Sequence, residues 1–119
     1  MSRWLTLGEV LLLHELALEL DGGDPGVLDL GQLESALAQP QAGFKETHLH
    51  PSLPAQAASY LFHISQARAF SDGNKRTAVL AALTSLELNG LSPTIDQDEL
   101  FVLALEVAQG NLSKEQIAH

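Results

Sequence analysis

Residues 68–76 read Arg-Ala-Phe-Ser-Asp-Gly-Asn-Lys-Arg, and this stretch decides how the rest of the chain is interpreted. Three of the chain's six Lys and Arg residues lie in it, with one of its fifteen Asp and Glu residues. Because the whole chain carries a net charge of −9, the stretch is a basic spot on an acidic protein. A charge run usually lies on a solvated surface, but such a run does not need Asp-Gly-Asn at its centre. The pattern therefore favours a binding site over an idle surface turn.

The residues after Gly73 predict a helix that begins at Asn74, since they are rich in helix formers and end in the Asn-Gly pair at 89–90. Lys75 and Arg76 then fall in the first turn, where cations are unfavourable because a helix N-terminus already carries partial positive charge. A bound anion would offset that cost, and phosphate is the obvious anion.

Asp72 does not suit phosphate alone, but it suits phosphate accompanied by a divalent cation. Mg²⁺ is typically held by one or two carboxylates together with the phosphates of the substrate. The residue chemistry by itself thus predicts a Mg²⁺–nucleotide or another phosphorylated ligand at this stretch.

Residues 70–76 resemble the core motif of the Fic/Doc family, which reads His-x-Phe-x-Asp-(Gly/Ala)-Asn-Lys-Arg in its Doc (death-on-curing) branch. The similarity extends over nearly the whole chain, through residues 7–15, 22–26, 33–40, 57–58 and 86–90. It implies a Doc-type toxin of a type II toxin–antitoxin pair. In that branch the implied activity is kinase-type transfer of a phosphoryl group from ATP to a protein hydroxyl, on elongation factor Tu in the best-known member.

The chain departs from the family motif at Arg68, where the family has a His that acts as general base. A general base must be neutral near pH 7, whereas arginine stays protonated and offers only donors. His63 does not replace it, because it lies about 140° round the same predicted helix from Arg68. The resemblance therefore implies a site that keeps its ligand-binding part and is inactive as written.

The remaining roles are carried over from the family position by position. Asp72 would hold Mg²⁺, and Gly73 and Asn74 would supply backbone and amide contacts to phosphate. Lys75 and Arg76 would neutralise phosphate charge, on which phosphoryl transfer depends.

Several functions stay open at this point. AMP transfer, the activity of many Fic relatives, is disfavoured by Lys75, which stands where their motif has Gly, and by Val79, which stands where they have a second Arg. Arg68 could mark an inactivated toxin or a natural non-catalytic module that binds a nucleotide or the antitoxin. A helical interaction domain with no ligand is a third reading. The family also implies an antitoxin partner that presents an amphipathic helix to an apolar groove.

Length and composition set the remaining limits. The 119 residues suit one domain, and a hydrophobic content of 45% suits a globular chain. The absence of cysteine excludes disulfides, and with no signal-peptide pattern in residues 1–13 we expect a cytoplasmic protein. The acidic charge argues against direct nucleic-acid binding, and no apolar run has membrane-spanning length.

A capping box at Thr6 and Glu9 predicts a first helix that runs to about Leu20. His14 lies on it, and a packed histidine is the favoured interpretation over a ligand. Four leucines give this helix an apolar stripe at helical spacing: Leu12, Leu13, Leu16 and Leu20.

The next elements follow from caps and prolines. Asp29 is the predicted N-cap of a short helix over residues 30–38 that ends before Pro40. Residues 40–51 are expected to be a loop, in the family a flap that docks the target chain, with Phe44 and Lys45 as contact residues. The pair His48 and His50 is weak support for a metal site, so a solvated loop is favoured.

A helix is predicted over residues 52–68, with Phe70 as a buried anchor of the loop that follows. The helix from Asn74 is apolar on almost all sides, so it should be central and buried. Further helices are predicted over residues 96–110 and from Ser113. The expected fold is all-α, a single domain of about six helices packed around the central one.

Overall fold

The computed structural model describes residues 3–47 and 53–90, which form four α-helices. These are α1 (Leu7–Asp21), α2 (Leu30–Thr47), α3 (Leu53–Ala67) and α4 (Asn74–Leu88). Within those residues the extended structure is one isolated antiparallel bridge between Val27 and Phe70, so the all-α expectation is confirmed. The helices predicted over residues 96–110 and from Ser113 lie outside the described residues, as do His48 and His50.

The first turn of α1 is closed by the predicted capping box. The Glu9 N–H donates to Thr6 Oγ1 at 3.2 Å, and the Thr6 N–H donates to Glu9 Oε1 at 2.9 Å. Arg3 adds an ion pair from Nη2 to Glu9 Oε2 at 2.6 Å. The helix ends at Asp21, one residue beyond the predicted end.

Three of the four leucines in the predicted stripe of α1 face outward, whereas Leu13 is partly buried against the core. Leu12, Leu16 and Leu20 are 65%, 41% and 56% exposed, whereas the buried positions are Val10, His14 and Ala17. His14, Leu18 and Ala17 approach the chain at Gly73, where a Cβ atom would lie 3.5–3.7 Å from their side chains. An apolar stripe at helical spacing therefore does not by itself identify the buried face of this helix.

The prediction that the second helix ends near residue 38 is wrong, because α2 continues to Thr47 with a buried Pro40 inside it. Proline in a helix interior removes one hydrogen bond and strains the preceding turn, but burial of its ring can offset part of that cost. Residues 40–47 are thus helical and not the loop expected, although the side chains of Phe44 and Lys45 lie outside the description. The predicted N-cap is confirmed by the Gln32 N–H, which donates to Asp29 Oδ1 at 3.0 Å.

Helix α4 is the central element, as predicted. It packs most extensively against α3 and also against α1. Its buried residues cover nearly its whole circumference: Thr77, Ala78, Val79, Leu80, Ala81, Ala82, Leu83 and Ser85.

Helix α3 carries several of the large buried side chains of the core, and Tyr60 is the largest of them. The Tyr60 hydroxyl accepts the Leu5 N–H at 2.9 Å, and burial raises the pKa of this phenol. In residues 3–47 and 53–90, none of the helices combines the length and the apolar content needed to cross a bilayer.

Candidate functional site

The loop between α3 and α4 is fixed by an extended neighbour, residues 26–29. The Ala69 carbonyl accepts the N–H groups of Leu28 and Asp29 at 2.7 and 3.1 Å. One step further, the Ser71 N–H donates to the Gly26 carbonyl at 2.9 Å. These backbone bonds hold the loop in place without using any side chain of the motif.

Phe70 anchors the same loop in the core, as predicted, with 1% of its surface exposed. Its ring stacks on His14 with centroids 3.7 Å apart and planes inclined by 9°. Its backbone is bracketed by Asn74, whose Oδ1 accepts the Phe70 N–H at 3.0 Å and whose Nδ2 donates to the Phe70 carbonyl at 2.8 Å. The Asn74 carboxamide therefore shapes the loop, and its predicted contact with phosphate stays a prediction.

His14 also holds the backbone of Asp72. Its Nε2 lies 2.9 Å from the Asp72 carbonyl oxygen, and because that oxygen only accepts, Nε2 is the protonated nitrogen in this bond. His14 is 3% exposed, so the predicted packed histidine is confirmed. Its contact with the motif was not predicted, since the two residues lie 58 positions apart.

The Asp72 carboxylate is oriented by the glycine-rich turn after α1. Its Oδ2 accepts the Asp24 N–H at 2.7 Å. Gly23 has φ +124°, and a Cβ atom there would lie 2.8 Å from the Asp72 Cβ, so a side chain at this position would displace the carboxylate. The turn thus explains why glycine is needed beside the motif, and the bond to Asp24 engages one of the two carboxylate oxygens.

The start of α4 is open. Gly73 is the N-cap in a left-handed conformation, with φ +80°, and among the described residues no side chain caps this helix end. The first helical bond runs from the Thr77 N–H to the Gly73 carbonyl at 2.9 Å. The N–H groups of the first turn therefore have no acceptor within the helix, as at any helix N-terminus.

A cleft of about 520 Å³ lies at this helix end, within the size range of small-molecule sites. Of the described residues, those that line it are Asp21, Gly22, Gly23, Ser71, Asp72, Gly73, Asn74, Lys75 and Arg76. Five of the six site residues predicted from the motif therefore line one cleft, and the sixth, Arg68, does not. The three residues at the end of α1, and Ser71, were not predicted.

The cations of the cleft are not equivalent. Arg76 Nε donates to Asp21 Oδ2 at 2.9 Å, and the Arg76 side chain is 15% exposed against 48% for Asp21. Lys75 is half-buried at the same rim. Sequence offered no signal for the ion pair, because its partners lie 55 positions apart.

Arg68, which stands at the family's general-base position, follows the end of α3 with an unusual backbone. Its φ is +49°, in the left-handed region that residues with a Cβ atom adopt rarely. The residue is exposed, and it lies outside the group of described residues that lines the cleft. Its assignment to the base position rests on the motif alone.

Comparison with known proteins covers almost the whole chain. The family model described as the Fic/DOC family matches residues 4–86. The chain is 37% identical over 120 residues to a protein named Toxin Doc from Mycolicibacterium smegmatis, with 99% of this chain and 90% of the relative aligned. It is 32% identical over 116 residues to a protein named Protein kinase doc from Escherichia phage P1, with 98% and 90% aligned.

Proposed function

The chain belongs to the Fic/Doc family, and on that premise we propose that it is a Doc-type toxin whose cleft binds ATP with Mg²⁺. The proposed chemistry is phosphoryl transfer from ATP to a hydroxyl of a cytoplasmic translation factor similar to elongation factor Tu. The observation that carries the proposal is the cleft itself, in which Asp72, Lys75 and Arg76 meet at an open helix N-terminus.

The residues present fit a Mg²⁺–nucleotide. In the described part of the chain no group of three or more His, Asp or Glu side chains could enclose a metal by itself. One fixed carboxylate, that of Asp72, matches a cation that takes most of its other ligands from phosphate and water. Asp72 would hold the metal, which would supply positive charge to neutralise the negative charge that develops during transfer.

The protein groups supply binding and orientation. The first-turn N–H groups of α4 and its dipole attract phosphate oxygens, while Lys75 and Arg76 add fixed positive charge. His14 and Asn74 keep the loop rigid from behind, which preserves the direction of the Asp72 carboxylate.

The group that the chain lacks for this reaction is a general base that removes the proton of the target hydroxyl. In transfer, the target hydroxyl oxygen bonds to the γ-phosphorus, the bond to the ADP oxygen breaks, and the hydroxyl proton must go to a base. Arg68 stays protonated and cannot accept that proton. We therefore propose that the chain as written is slower than its Arg68→His variant by about 10²–10⁴-fold.

Phosphate transfer is favoured over AMP transfer by two observations. One aligned relative is named a protein kinase. In addition, Val79 is fully buried in the core, so the position at which AMP-transferring relatives carry a second Arg does not face the cleft here. ATP labelled at the α- or γ-phosphate would separate the two activities, because γ-label on the target means phosphate and α-label means AMP.

The experiment that tests the proposal is growth of a bacterial host on induction of the chain as written, Arg68→His, and Arg68→His combined with Asp72→Ala. We expect arrest with Arg68→His alone. Arrest by the chain as written would show that position 68 needs no base. No arrest with a folded Arg68→His protein that also binds no ATP–Mg²⁺ would reject the toxin assignment.

A non-catalytic module that binds a nucleotide or the antitoxin is the second candidate, and Arg68 is the observation that favours it. In either case we propose an antitoxin partner that presents an amphipathic helix. The exposed leucines of α1 offer apolar surface that suits such a helix. If the chain as written and Arg68→His bind ATP–Mg²⁺ equally and neither arrests growth, the module is favoured over the toxin.

A further inference from the structure

The ion pair between Asp21 and Arg76 joins two residues that are each placed unfavourably in their own helix. Asp21 is the last residue of α1, beside the partial negative charge of that helix end, and no basic residue lies in the last turn. Arg76 lies in the first turn of α4, beside partial positive charge, and no acidic residue lies in that turn. The 2.9 Å contact relieves both conflicts at once.

The same pair sets the charge of the cleft. Of the described residues that line it, two are carboxylates, Asp21 and Asp72, and two are cations, Lys75 and Arg76. The formal charge of this lining is therefore zero when no ligand is bound. A nucleotide is a polyanion, so a neutral lining with one cation already paired is a poor site for it in the absence of a metal.

A bound divalent cation changes this balance, because it makes the lining positive. Phosphate oxygens then compete with Asp21 for the Arg76 guanidinium. Asp21 is 48% exposed, so its carboxylate can be rehydrated when it is displaced.

We infer that Asp21 acts as an internal counterion that makes nucleotide binding depend on a divalent cation and discriminates against metal-free nucleotide. The inference rests on the proposed ATP–Mg²⁺ site and names a residue that determines which form of the nucleotide that site accepts. Asp21 is a specificity-determining residue in this sense, since it acts on the ligand through Arg76.

The test is titration of the full-length chain with ATP by calorimetry, in excess Mg²⁺ and in EDTA, for the chain as written and for Asp21→Asn. The Asn side chain keeps an oxygen that can accept from Arg76 but removes the charge. We expect Asp21→Asn to tighten binding in EDTA by about tenfold, a free-energy change of about 1.4 kcal/mol. Binding in Mg²⁺ should change by less than about threefold, because the metal already makes the lining positive.

Glu19→Gln is the matched control, since it makes the same charge change on the same helix at an exposed residue outside the lining. It should leave both affinities unchanged. Asp21→Ser serves as a second variant, and the melting temperature without ligand confirms that each protein is folded.

The outcomes separate this inference from the function on which it rests. If the chain as written binds ATP equally well in EDTA and in Mg²⁺, or if Asp21→Asn behaves as Glu19→Gln does, the counterion role is rejected and the site stands. If the chain binds no ATP in either condition and Asp21→Asn does not restore binding, the proposed nucleotide site is rejected with it.

Discussion

The N-termini of α1 and α4 are built in opposite ways. At α1, Thr6 and Glu9 complete a capping box, and the anionic Glu9 lies at the positive end of the helix dipole. At α4 the cap is a left-handed Gly73 that no described side chain supplements, and the first turn carries two cations, Lys75 and Arg76. One helix end is completed by its own residues. The other has no completing side chain among the described residues, and the proposed nucleotide site lies there.

The uncapped end of α4 is held in place by contacts of the preceding loop on the side away from the cleft. Phe70 packs in the core against His14, and Asn74 brackets the Phe70 backbone on both sides. His14 also bonds the Asp72 carbonyl. The contacts that hold the loop thus leave the cleft side of the helix end free, so rigidity and an open anion site are compatible.

The largest expected effect comes from giving α4 the anion that α1 already has. In Lys75→Glu, a cation of the cleft becomes an anion at the positive helix end. We expect ATP–Mg²⁺ affinity to fall by about 100-fold, near 2.7 kcal/mol, while the free energy of unfolding without ligand stays level or rises by about 0.3–1 kcal/mol. Calorimetric titration and urea unfolding measure the two quantities. A variant that loses both binding and stability would show that Lys75 supports the fold.

The next effect concerns the support behind the loop. His14→Ala removes the ring stack on Phe70 and the bond to the Asp72 carbonyl, so we expect a loss of about 2 kcal/mol in unfolding free energy. ATP–Mg²⁺ affinity should fall as well, because Asp72 loses its fixed direction. Leu12→Ala, at a position 65% exposed on the same helix, is the control and should change stability by less than about 0.5 kcal/mol. If His14→Ala and Leu12→Ala had equal effects, His14 would not be needed to hold the site in place.

A smaller effect is expected at the completed helix end. Thr6→Ala removes the side chain that accepts the Glu9 N–H, and loss of such a cap costs about 1 kcal/mol. Affinity for ATP–Mg²⁺ should not change, since this turn lies at the opposite end of α1 from the cleft. Urea unfolding and the same titration check both statements. A drop in affinity would mean that destabilising α1 at its N-terminus also weakens ligand binding. The two helix ends could then not be assigned separate roles in stability and in binding.

The features that sequence predicted are those fixed by neighbours in the chain. The capping box at Thr6 is a local pattern of four residues. The N-cap at Asp29 and the helix stop at Asn89 are likewise fixed by residues close in sequence. The burial of Phe70 followed from its apolar side chain. The central position of α4 followed from a sequence that is apolar on almost all sides of the helix. These predictions are confirmed because local geometry and composition determine them.

The features that sequence missed depend on contacts between distant segments. α2 continues through Pro40 because burial of the ring offsets the local cost, and local rules do not include that burial. Leu12, Leu16 and Leu20 of α1 face outward. The helix approaches Gly73 through His14, Ala17 and Leu18 instead. The contacts of His14 with Asp72 and of Asp21 with Arg76 join residues more than fifty positions apart, so no local pattern announces them.

The smallest expected effect is a pH dependence confined to the completed end. The bond from the Thr6 backbone N–H holds the pKa of the Glu9 carboxyl below its usual range, against the opposing effect of burial, and the Thr6 side chain and Arg3 add to the lowering. Because the folded pKa lies below the unfolded one, this stabilisation is full above the unfolded pKa and is lost as pH falls through the folded pKa.

Urea unfolding of the chain as written and of Glu9→Gln, from about pH 7 down to about pH 3, measures that contribution as the difference between the two proteins. We expect the difference to be largest at neutral pH and to shrink on acidification. If the difference between the two proteins were constant with pH, Glu9 would act through its hydrogen-bonding shape and not through its charge. The contrast between the anion in the first turn of α1 and the cations in the first turn of α4 would then not be electrostatic at the α1 end.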